Sequence, residues 1–389
     1  MKKLAITALS AALLSGCFGE DESNTNSVTG HVYIAQLIAA DYSSSEIAVG
    51  TVGEADAIEG YAVKDDSDYT IDVYGQYLYH IGKNNLDTLT RYDSAADFLQ
   101  ADYTYNLAEP ESASSNTYKL VQVAQDKAYL IRYGKASVQI IDPTADEDNF
   151  VKGSIDLSAY NAEGASVPYM ADAVFTDGKL FVGMQRLASN YQVVTDSYIA
   201  VIDTTTDTEI DTSAAEGLNG LALSADNLSG MTATDDFLYV TGRGDYGNNS
   251  GALDRINLDD YSVETLIDGS TFSSLNDADN NTYYHVEAVT VVDDLGYVKL
   301  SVEQGYSALE NPIYSFPVDT NIFTELSVEE FTDQKIGVMT AGPDSTLWVG
   351  VRNEEATDMY VMNSDGTIQE TAIEFSMPVN ELEFMEVQE

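Results

Sequence analysis

Apolar and polar residues alternate in short runs along most of the chain, and one such run recurs. In the clearest copy, apolar and β-branched residues from Tyr198 lead to Asp203, a Thr/Asp turn follows, and a second alternating run begins at Thr208. This order is typical of an antiparallel hairpin with a tight turn. Weaker copies of the hairpin lie at 137–142, 252–258, 313–319 and 359–363. The pattern therefore predicts a protein built from repeated β-hairpins.

A second hairpin signature lies upstream of each copy and sets the period of the repeat. It consists of an apolar strand, a tight turn and a strand in which an aromatic residue stands beside Val or Leu. The turns lie at Gly75, Asp126, Asp177, Asp235, Asp293 and Asp344, so they are 51, 51, 58, 58 and 51 residues apart. Such periods are typical of four-stranded propeller blades. A long β-sandwich would also contain alternating strands, but it would not repeat a two-hairpin unit six times.

The spacing predicts six complete blades and a seventh that is shared between the two ends of the chain. The complete blades are predicted at 61–107, 116–158, 168–212, 229–268, 284–328 and 334–376. Strands at 32–36 and 46–51 have no inner strand before them, whereas 377–385 looks like an inner strand with nothing after it. Pairing these ends would close the ring and remove open sheet edges. The predicted fold class is all-β, a seven-bladed β-propeller domain over 31–389.

The first residues have the features of an export signal. Lys2 and Lys3 precede an apolar run at 4–14 that is too short to span a bilayer, so 1–16 is predicted to be a signal peptide. The sequence Leu-Ser-Gly-Cys at 14–17 resembles the bacterial lipobox, which implies cleavage before Cys17 and its lipidation. Phe18 favours the outer membrane in that sorting pattern. Residues 17–30 then form a flexible acidic tether; ordinary secretion with a free Cys17 is the alternative.

One repeat also resembles a known family. Residues 201–210, Val-Ile-Asp-Thr-Thr-Thr-Asp-Thr-Glu-Ile, together with Leu-Tyr-Val-Thr at 238–241, resemble the YVTN-type repeat of seven-bladed propellers in bacterial periplasmic and surface proteins. The match is good in one blade and degenerate in the others. Some such propellers are surface lipoproteins that capture cofactors or metal complexes for outer-membrane transporters. The resemblance implies the fold and leaves the activity open.

The charge excludes several classes of partner. The chain has 65 acidic and 17 basic residues, a formal net charge of −48, which repels nucleic acid and anionic lipid headgroups. Residues 277–281 have the opening spacing of a calcium loop, but Thr282 stands where Gly is needed and Ala288 where the bidentate Glu should be. His31, His80 and His285 have no metal-ligand spacing. Neither a metal nor a cofactor is predicted.

Cations concentrate at one position of the repeat. Arg132, Arg186, Arg243 and Arg352, four of the six arginines, end the second strand of a blade, and Lys83 takes the same place in the first complete blade. Stacked blades would place these side chains around one mouth of the channel, where guanidinium groups could bind a carboxylate or phosphate. The alternative is that each arginine pairs with a local carboxylate, such as Asp245 or Glu354, and holds its loop.

Tyrosine is the second signal, with 26 residues. Long loops predicted on the same face contain Tyr191, Tyr246, Tyr283, Tyr284 and Tyr306. Amphipathic rings in such loops suit a flat or sugar-like ligand. The alternative is that they cover the ends of the blades.

We therefore expect a lipid-anchored extracytoplasmic binding protein for a small or medium anionic or polyhydroxylated ligand, which it would pass to an outer-membrane transporter. Its predicted ligand-binding residues are Arg132, Arg186, Arg243, Arg352, Lys83, Tyr191, Tyr246, Tyr306 and His285. Binding is favoured over catalysis because no nucleophile elbow is recognisable. Two alternatives stay open: a hydrolase or lyase with His285 and Glu287 as acid and base, and a structural or protein-docking module.

Overall fold

The computed structural model describes residues 30–94, 100–109, 113–212, 217–245, 248, 251–369 and 371–387. Within them the chain forms 30 β-strands in seven antiparallel sheets. Four single-turn 3-10 helices lie in connections, at Glu147–Asn149, Ser158–Tyr160, Ser273–Leu275 and Ala278–Asn280. This is the predicted all-β architecture.

The strands follow one another blade by blade. Blade 1 contains β1 (Gly30–Ile38), β2 (Ser45–Thr51) and β3 (Ala57–Lys64). Blade 2 contains β4 (Tyr69–Tyr74), β5 (Tyr77–Gly82), β6 (Thr88–Asp93) and β7 (Ala101–Asn106). Blade 3 contains β8 (Thr117–Ala124), β9 (Lys127–Arg132), β10 (Ser137–Ile141) and β11 (Val151–Asp156). Blade 4 contains β12 (Met170–Thr176), β13 (Lys179–Met184), β14 (Tyr198–Asp203), β15 (Thr208–Glu209) and β16 (Leu221–Ala222).

The remaining blades complete the ring. Blade 5 contains β17 (Leu228–Ala233), β18 (Phe237–Gly242), β19 (Ala252–Asn257) and β20 (Val263–Ile267). Blade 6 contains β21 (Thr282–Val292), β22 (Leu295–Gln304), β23 (Ser307–Glu310), β24 (Ile313–Pro317) and β25 (Thr324–Glu325). Blade 7 contains β26 (Ile336–Gly342), β27 (Thr346–Arg352), β28 (Thr357–Met362) and β29 (Ile373–Phe375). The last strand, β30 (Val379–Val387), returns to blade 1.

The innermost strand of each sheet contacts the innermost strand of the next sheet, and these contacts close a circle. The inner strands are, in order around the ring, β30, β4, β8, β12, β17, β21 and β26, and the last of them contacts β30. The molecule is therefore a seven-bladed propeller, as the repeat predicts. Inner strands begin, and second strands end, on one side of the disc, which we term the loop face.

The two ends of the chain share blade 1, which confirms the predicted closure. β1 pairs antiparallel with β30, with Val32 opposite Met385 and Gln36 opposite Glu381. One detail of the prediction is wrong: the first complete blade starts at Tyr69 rather than at 61, because β3 pairs with β2 and forms the outer strand of blade 1. β3 contains only partly buried and exposed residues, so apolar alternation did not reveal which sheet it joins.

The core lies between blades rather than within them. Seven hydrophobic clusters are present in the described residues, one at each junction of neighbouring blades. At the closing junction, Trp348 of blade 7 is buried against Tyr33 and Phe384 of blade 1, with ring centroids 5.2 and 5.1 Å apart. Burying such side chains stabilises each junction by several kcal/mol, at roughly 1.5–3 kcal/mol per large side chain. Each blade therefore depends on its two neighbours.

The inner strands carry an irregularity near the loop face. In all but β4, the pairing register shifts by one residue, which is the signature of a β-bulge. The extra residues are Tyr118, Ala171, Ser229, Glu287, Gly337 and Asn380. Bulges change the direction of a side chain next to a functional surface. Tyr118 and Glu287 are the large polar members of this set.

Candidate ligand-binding site

The loop face positions the predicted cations. Arg132 and Arg352 end their strands, while Lys83, Arg186 and Arg243 follow the second strand of their blade within two residues. Their surroundings differ, however, and decide which of them is accessible.

Arg132 is part of the fold of blade 3. Its guanidinium is 4% exposed and donates to the hydroxyl and carbonyl oxygens of Ser137, at 2.6 and 3.1 Å. A third contact, 2.6 Å long, joins it to Glu109, which also lies 2.9 Å from Lys135. Burial acts to raise the pKa of Glu109, but the hydrogen bonds from Lys135 and Arg132 hold it below its ordinary value. Arg132 thus fastens the connection from blade 2 to the hairpin of blade 3.

Arg186 closes the loop that follows β13. Its Nε donates to the carbonyl oxygen of Tyr160 at 2.9 Å, and its Nη1 donates to that of Asp196 at 3.0 Å. The guanidinium also lies over the ring of Tyr198, 4.5 Å from the centroid. These contacts join both ends of the loop at 185–197, so the Arg186 side chain stabilises this loop.

Arg243 joins blades 5 and 6 through a group of charged side chains that are buried or partly buried. Its Nη1 lies 2.7 Å from Glu287, and its Nη2 forms a second ion pair with Glu303. Lys299 reaches Glu287 from the other side at 3.3 Å, and the hydroxyl of Ser301 donates to Glu303 at 2.9 Å. We term Arg243, His285, Glu287, Lys299 and Glu303 the blade 5–6 cluster.

His285 supports this cluster from within. Its ring is 1% exposed, and its Nδ1 donates to the carbonyl oxygen of Arg243 at 2.9 Å. The Nε2 atom lies 3.8 Å from Glu303. The buried imidazole therefore holds the loop that carries Arg243 through this hydrogen bond to its backbone. Of the acid–base pair considered above, only Glu287 is partly exposed.

Lys83 and Arg352 are the two accessible cations of the predicted set. Arg352 is exposed, and Lys83 is partly exposed. Neither has a carboxylate within ion-pair distance among the described residues. The Nζ of Lys83 instead lies 5.6 Å from the centroid of the Tyr118 ring. The predicted ring of five cations is thereby divided into three that brace the fold and two that face solvent.

The predicted loop tyrosines also divide. Tyr284 belongs to the core, contrary to expectation, because its ring is buried against Phe272 and its hydroxyl donates to the carbonyl oxygen of Asp268 at 2.5 Å. Tyr306 is 86% exposed at the tip of the β22–β23 hairpin. Tyr246 lies outside the described residues. Tyr191, on the loop after β13, is 64% exposed.

Tyr191 is the end of a row of four tyrosine rings. Tyr118 and Tyr133 stack in parallel, with centroids 4.6 Å apart and planes at 8°. Tyr169 follows at 5.1 Å from Tyr133, and Tyr191 at 5.5 Å from Tyr169, both tilted. These four residues, the tyrosine row, come from blades 3 and 4, and Lys83 of blade 2 lies at the Tyr118 end. Tyr191 is exposed, Tyr118 and Tyr133 are partly exposed, and Tyr169 is buried between them.

Hydrogen bonds fix the row to its neighbours. The Tyr133 hydroxyl donates to Gln185 at 2.9 Å, and the amide of Gln185 donates to the Leu228 carbonyl of blade 5 at 2.8 Å. Burial, together with nearby Asp68 and Tyr191, raises the pKa of Tyr118. Burial likewise raises the pKa of Tyr133. These hydroxyl groups therefore stay protonated at neutral pH and can both donate and accept.

A rim of amide side chains borders the Lys83 end. Asp87 is buried and accepts from the backbone of Ser115 at 3.0 Å and of Asn116 at 3.2 Å, which ties two loops together. Asn84 donates its backbone N–H to the Asn116 side chain at 3.0 Å. Asn84, Asn85, Asp87 and Asn116 all have positive φ, between 22° and 69°. Such backbone conformations persist only where surrounding contacts hold them, and they are common at ligand-binding sites.

Sequence reasoning identified Tyr191 and Lys83 but missed Tyr118, Tyr133 and Tyr169. Tyr118 looks like an ordinary strand residue, since nothing local marks the bulge that displaces it. Tyr133 directly follows Arg132, and Tyr169 directly precedes β12. The available signal was the coincidence of tyrosines at the loop-face ends of strands in two adjacent blades.

The channel side of the inner strands is acidic. Lys119 of β8 lies 2.9 Å from Asp172 of β12. Burial raises the pKa of Glu383 to about 7, and the neighbouring Glu381 adds to the shift. Even so, the described part of the chain contains no group of three or more His, Cys, Asp or Glu side chains that could hold a metal ion. Asp277, from the candidate calcium loop, accepts from the side chain of Asn280 at 2.6 Å instead.

None of the helices among the described residues is long and apolar enough to cross a membrane. No protein-family model matches the chain, and no curated protein matches it.

Solved structures do match. A proposed 6-phosphogluconolactonase of Bacteroides uniformis is 11% identical, with a TM-score of 0.61 over 92% of this chain and 99% of that one. The periplasmic gluconolactonase of Pseudomonas aeruginosa is 10% identical, with a TM-score of 0.61 over 91% and 99%. The virginiamycin B lyase of Staphylococcus aureus is 14% identical, with a TM-score of 0.50 over 85% and 95%. The chain is similar to these propellers in fold.

Proposed function

We propose that this protein binds a small polyhydroxylated ligand on the tyrosine row of its loop face. The observation that carries the proposal is the row itself, four rings from two blades that end in the exposed Tyr191. Aromatic rings with polar tips offer an apolar face to the C–H groups of a sugar and a hydroxyl to its oxygens. Ligand sites combine such apolar surfaces with a few fixed polar groups, and the amide side chains of Asn84 and Asn116 lie at the Lys83 end of the row.

Three of the predicted arginines already use their hydrogen-bond donors within the protein. A polyhydroxylated ligand is therefore favoured over one held by a ring of guanidinium groups. Arg132, Arg186 and Arg243 use their donors on carbonyl, hydroxyl and carboxylate oxygens of the protein. Binding an anion there would require breaking contacts that hold loops. The name of the Pseudomonas aeruginosa neighbour, a gluconolactonase, suggests sugars and their lactones as the first probes.

The proposal includes the cellular setting expected from the sequence. The lipobox-like segment at 14–17 supports anchoring through Cys17 at the outer membrane, from which the ligand would pass to a transporter. The anchor is inferred from residues outside the described part of the chain, and the transporter from the YVTN-type resemblance of 201–210 and 238–241. Replacing Cys17 with Ala should move the protein from the membrane fraction to the soluble fraction; unchanged fractionation contradicts the anchor.

Calorimetric titration of the full chain with a panel of hexoses, hexonates and short oligosaccharides tests ligand binding. Tyr118→Ala and Tyr191→Ala should each weaken binding roughly three- to tenfold, as expected for loss of one aromatic contact. Tyr42→Ala is the matched control, because Tyr42 is 66% exposed, lies in a loop of blade 1 and has φ 60°, against 63° for Tyr191. Equal loss in the control, or no binding by any member of the panel, contradicts the proposal.

A hydrolase or lyase is the second candidate, favoured by one observation. Glu287 is the bulge residue of β21, is partly exposed, and lies between Arg243 and Lys299. A carboxylate at this position could act as a general base on a bound lactone. Turnover of glucono-1,5-lactone above its spontaneous rate, lost in Glu287→Gln with the fold intact, would support catalysis. A rate equal to the spontaneous one argues against it.

A further inference from the structure

We infer that the ligand of the tyrosine row carries a carboxylate, and that Lys83 is the residue that selects it. The inference rests on the proposed function and specifies its ligand class as a sugar acid or a related acidic polyol. It begins from the placement of Lys83 at one end of the aromatic surface.

Five of the fifteen lysines and arginines among the described residues have no carboxylate within 4 Å, namely Lys64, Lys83, Arg186, Lys335 and Arg352. Most lysines and arginines of the described residues lie within 4 Å of a carboxylate, as Lys119, Lys135 and Lys299 do. Lys83 does not, although the chain has 65 acidic residues. Its ammonium lies over the Tyr118 ring, a contact that is weak at an exposed site. A carboxylate on a ligand offers it a stronger partner, since charge-assisted hydrogen bonds are stronger than neutral ones.

The backbone of Lys83 is fixed, while its side chain can turn towards a ligand. Its N–H donates to the carbonyl oxygen of Asp68 at 2.8 Å, and its own carbonyl accepts from Leu86 at 2.7 Å. The following residues, Asn84 and Asn85, have the left-handed backbone described above and are tied to Asn116 and Ser114. The loop therefore holds the root of the side chain at a constant distance from the row.

The carboxylate of Asp68 lies at the same end of the row as Lys83 and has the opposite charge. Its carboxylate accepts from the Asn84 side chain at 3.1 Å, so it lies beside the same end of the row. Without Lys83, this carboxylate would repel an acidic ligand. The pair makes the site sensitive to ligand charge, because removing either member changes the local field in a known direction.

The experiment compares matched ligands that differ in one group. The full chain is titrated calorimetrically with D-glucose and D-glucuronate, D-galactose and D-galacturonate, and D-mannose and D-mannuronate. We expect the acid of at least one pair to bind about five- to tenfold more tightly than its neutral partner at low salt. The preference should shrink as sodium chloride rises from about 50 to about 500 mM, because surface charges are screened.

Variants assign the preference to Lys83. Lys83→Met should reduce the affinity for the acid below that for the neutral sugar, because Asp68 then repels the ligand carboxylate, and should leave the neutral sugar unaffected. Lys83→Arg should keep most of the preference. Asp68→Asn should strengthen binding of the acid alone. Lys335→Met, an exposed cation next to blade 7, should change neither ligand.

The outcomes separate this inference from the proposed function. Neutral sugars that bind as tightly as their acids, or a Lys83→Met variant that weakens both members of a pair equally, overturn the inference alone. If these six sugars and the whole panel of hexoses, hexonates and short oligosaccharides fail to bind, the proposed function is overturned, and the inference falls with it.

Discussion

At the scale of single residues, the loop face contains polar side chains of two kinds. Arg132, Arg186 and Arg243 direct their donors into the protein, whereas Lys83 and Tyr191 remain accessible. Long loops without regular structure need such internal contacts to hold one conformation. These three arginines thus support the surface on which the accessible residues can act.

Replacing Arg243 with Met should destabilise the protein by roughly 3–5 kcal/mol, since it leaves a buried carboxylate without its partner. The carboxylate is that of Glu303, which is 5% exposed. Urea unfolding measures the loss, and Glu303→Gln in the same chain should recover a large part of it. Arg352→Met is the control and should stay within about 0.5 kcal/mol of the parent. Equal effects of the two arginine variants would show that the blade 5–6 cluster contributes little.

A buried histidine should make the fold sensitive to acid. Burial lowers the pKa of His80 from its ordinary 6.5 to about 3, and neither ring nitrogen has a hydrogen-bond partner among the described residues. The unfolded chain therefore takes up a proton below about pH 6.5 that the folded chain refuses until about pH 3. Stability from this group is complete above 6.5 and falls by about 1.4 kcal/mol per pH unit below it.

His80→Leu tests this loss by removing the titrating group. Unfolding by urea at about pH 7 and at about pH 4.5 should show that the parent loses roughly 3 kcal/mol more than the variant over this range. Parallel pH profiles of the two proteins would contradict the assignment of the loss to His80.

The positions of these residues were predictable, but their partners were not. Local alternation predicts that Arg243 lies at the end of the second strand of its blade, and it directly follows β18. Its partner Glu303 is 60 residues away on another blade, a distance that only the packed ring determines. Tyr118 shows the same limit, because a bulge of one residue decides whether it joins the tyrosine row.

At the scale of elements, the blade is the unit that the sequence specifies. The period of the tight turns located six blades, since each turn joins the inner strand of a blade to the second strand of the same blade. The outer strand of blade 1 was missed, because outer strands bury little and carry weak apolar alternation. Elements held mainly by pairing to a neighbour are thus harder to predict than those that form the core.

A hydrogen-bonded latch between blades 1 and 2 should contribute measurably to stability. The Glu381 side chain of β30 accepts from the Thr70 hydroxyl at 2.6 Å and from the backbone N–H of Ile71 at 3.0 Å. Glu381→Ala leaves this buried N–H without its acceptor and should lower stability by about 1–3 kcal/mol in thermal or urea unfolding. Glu381→Gln keeps an acceptor and should retain most of the stability.

The control for the latch is Glu386→Ala, an exposed glutamate on the same strand. It should be nearly neutral. A loss as large as that of Glu381→Ala would mean that the strand, rather than the latch, is responsible.

At the scale of the whole molecule, a closed ring has to withstand a large excess of negative charge. The formal net charge is −48, and the channel side adds Asp172, Glu381 and Glu383 around Lys119. Repulsion among these groups acts outwards on every blade junction, while the seven hydrophobic clusters hold the blades together. The strength of the ring should therefore depend on how far the solvent screens charge.

Raising sodium chloride from about 10 mM to about 1 M shortens the screening length from about 30 to about 3 Å, so repulsion between blades should weaken. We expect Tm, measured by circular dichroism during heating, to rise by roughly 5 °C over this range. Calcium chloride at matched ionic strength serves as the control, because general screening predicts nearly the same rise for both salts. A much larger rise with calcium at low concentration would instead reveal a specific cation site, and a Tm that does not change with salt would show that repulsion between blades is negligible.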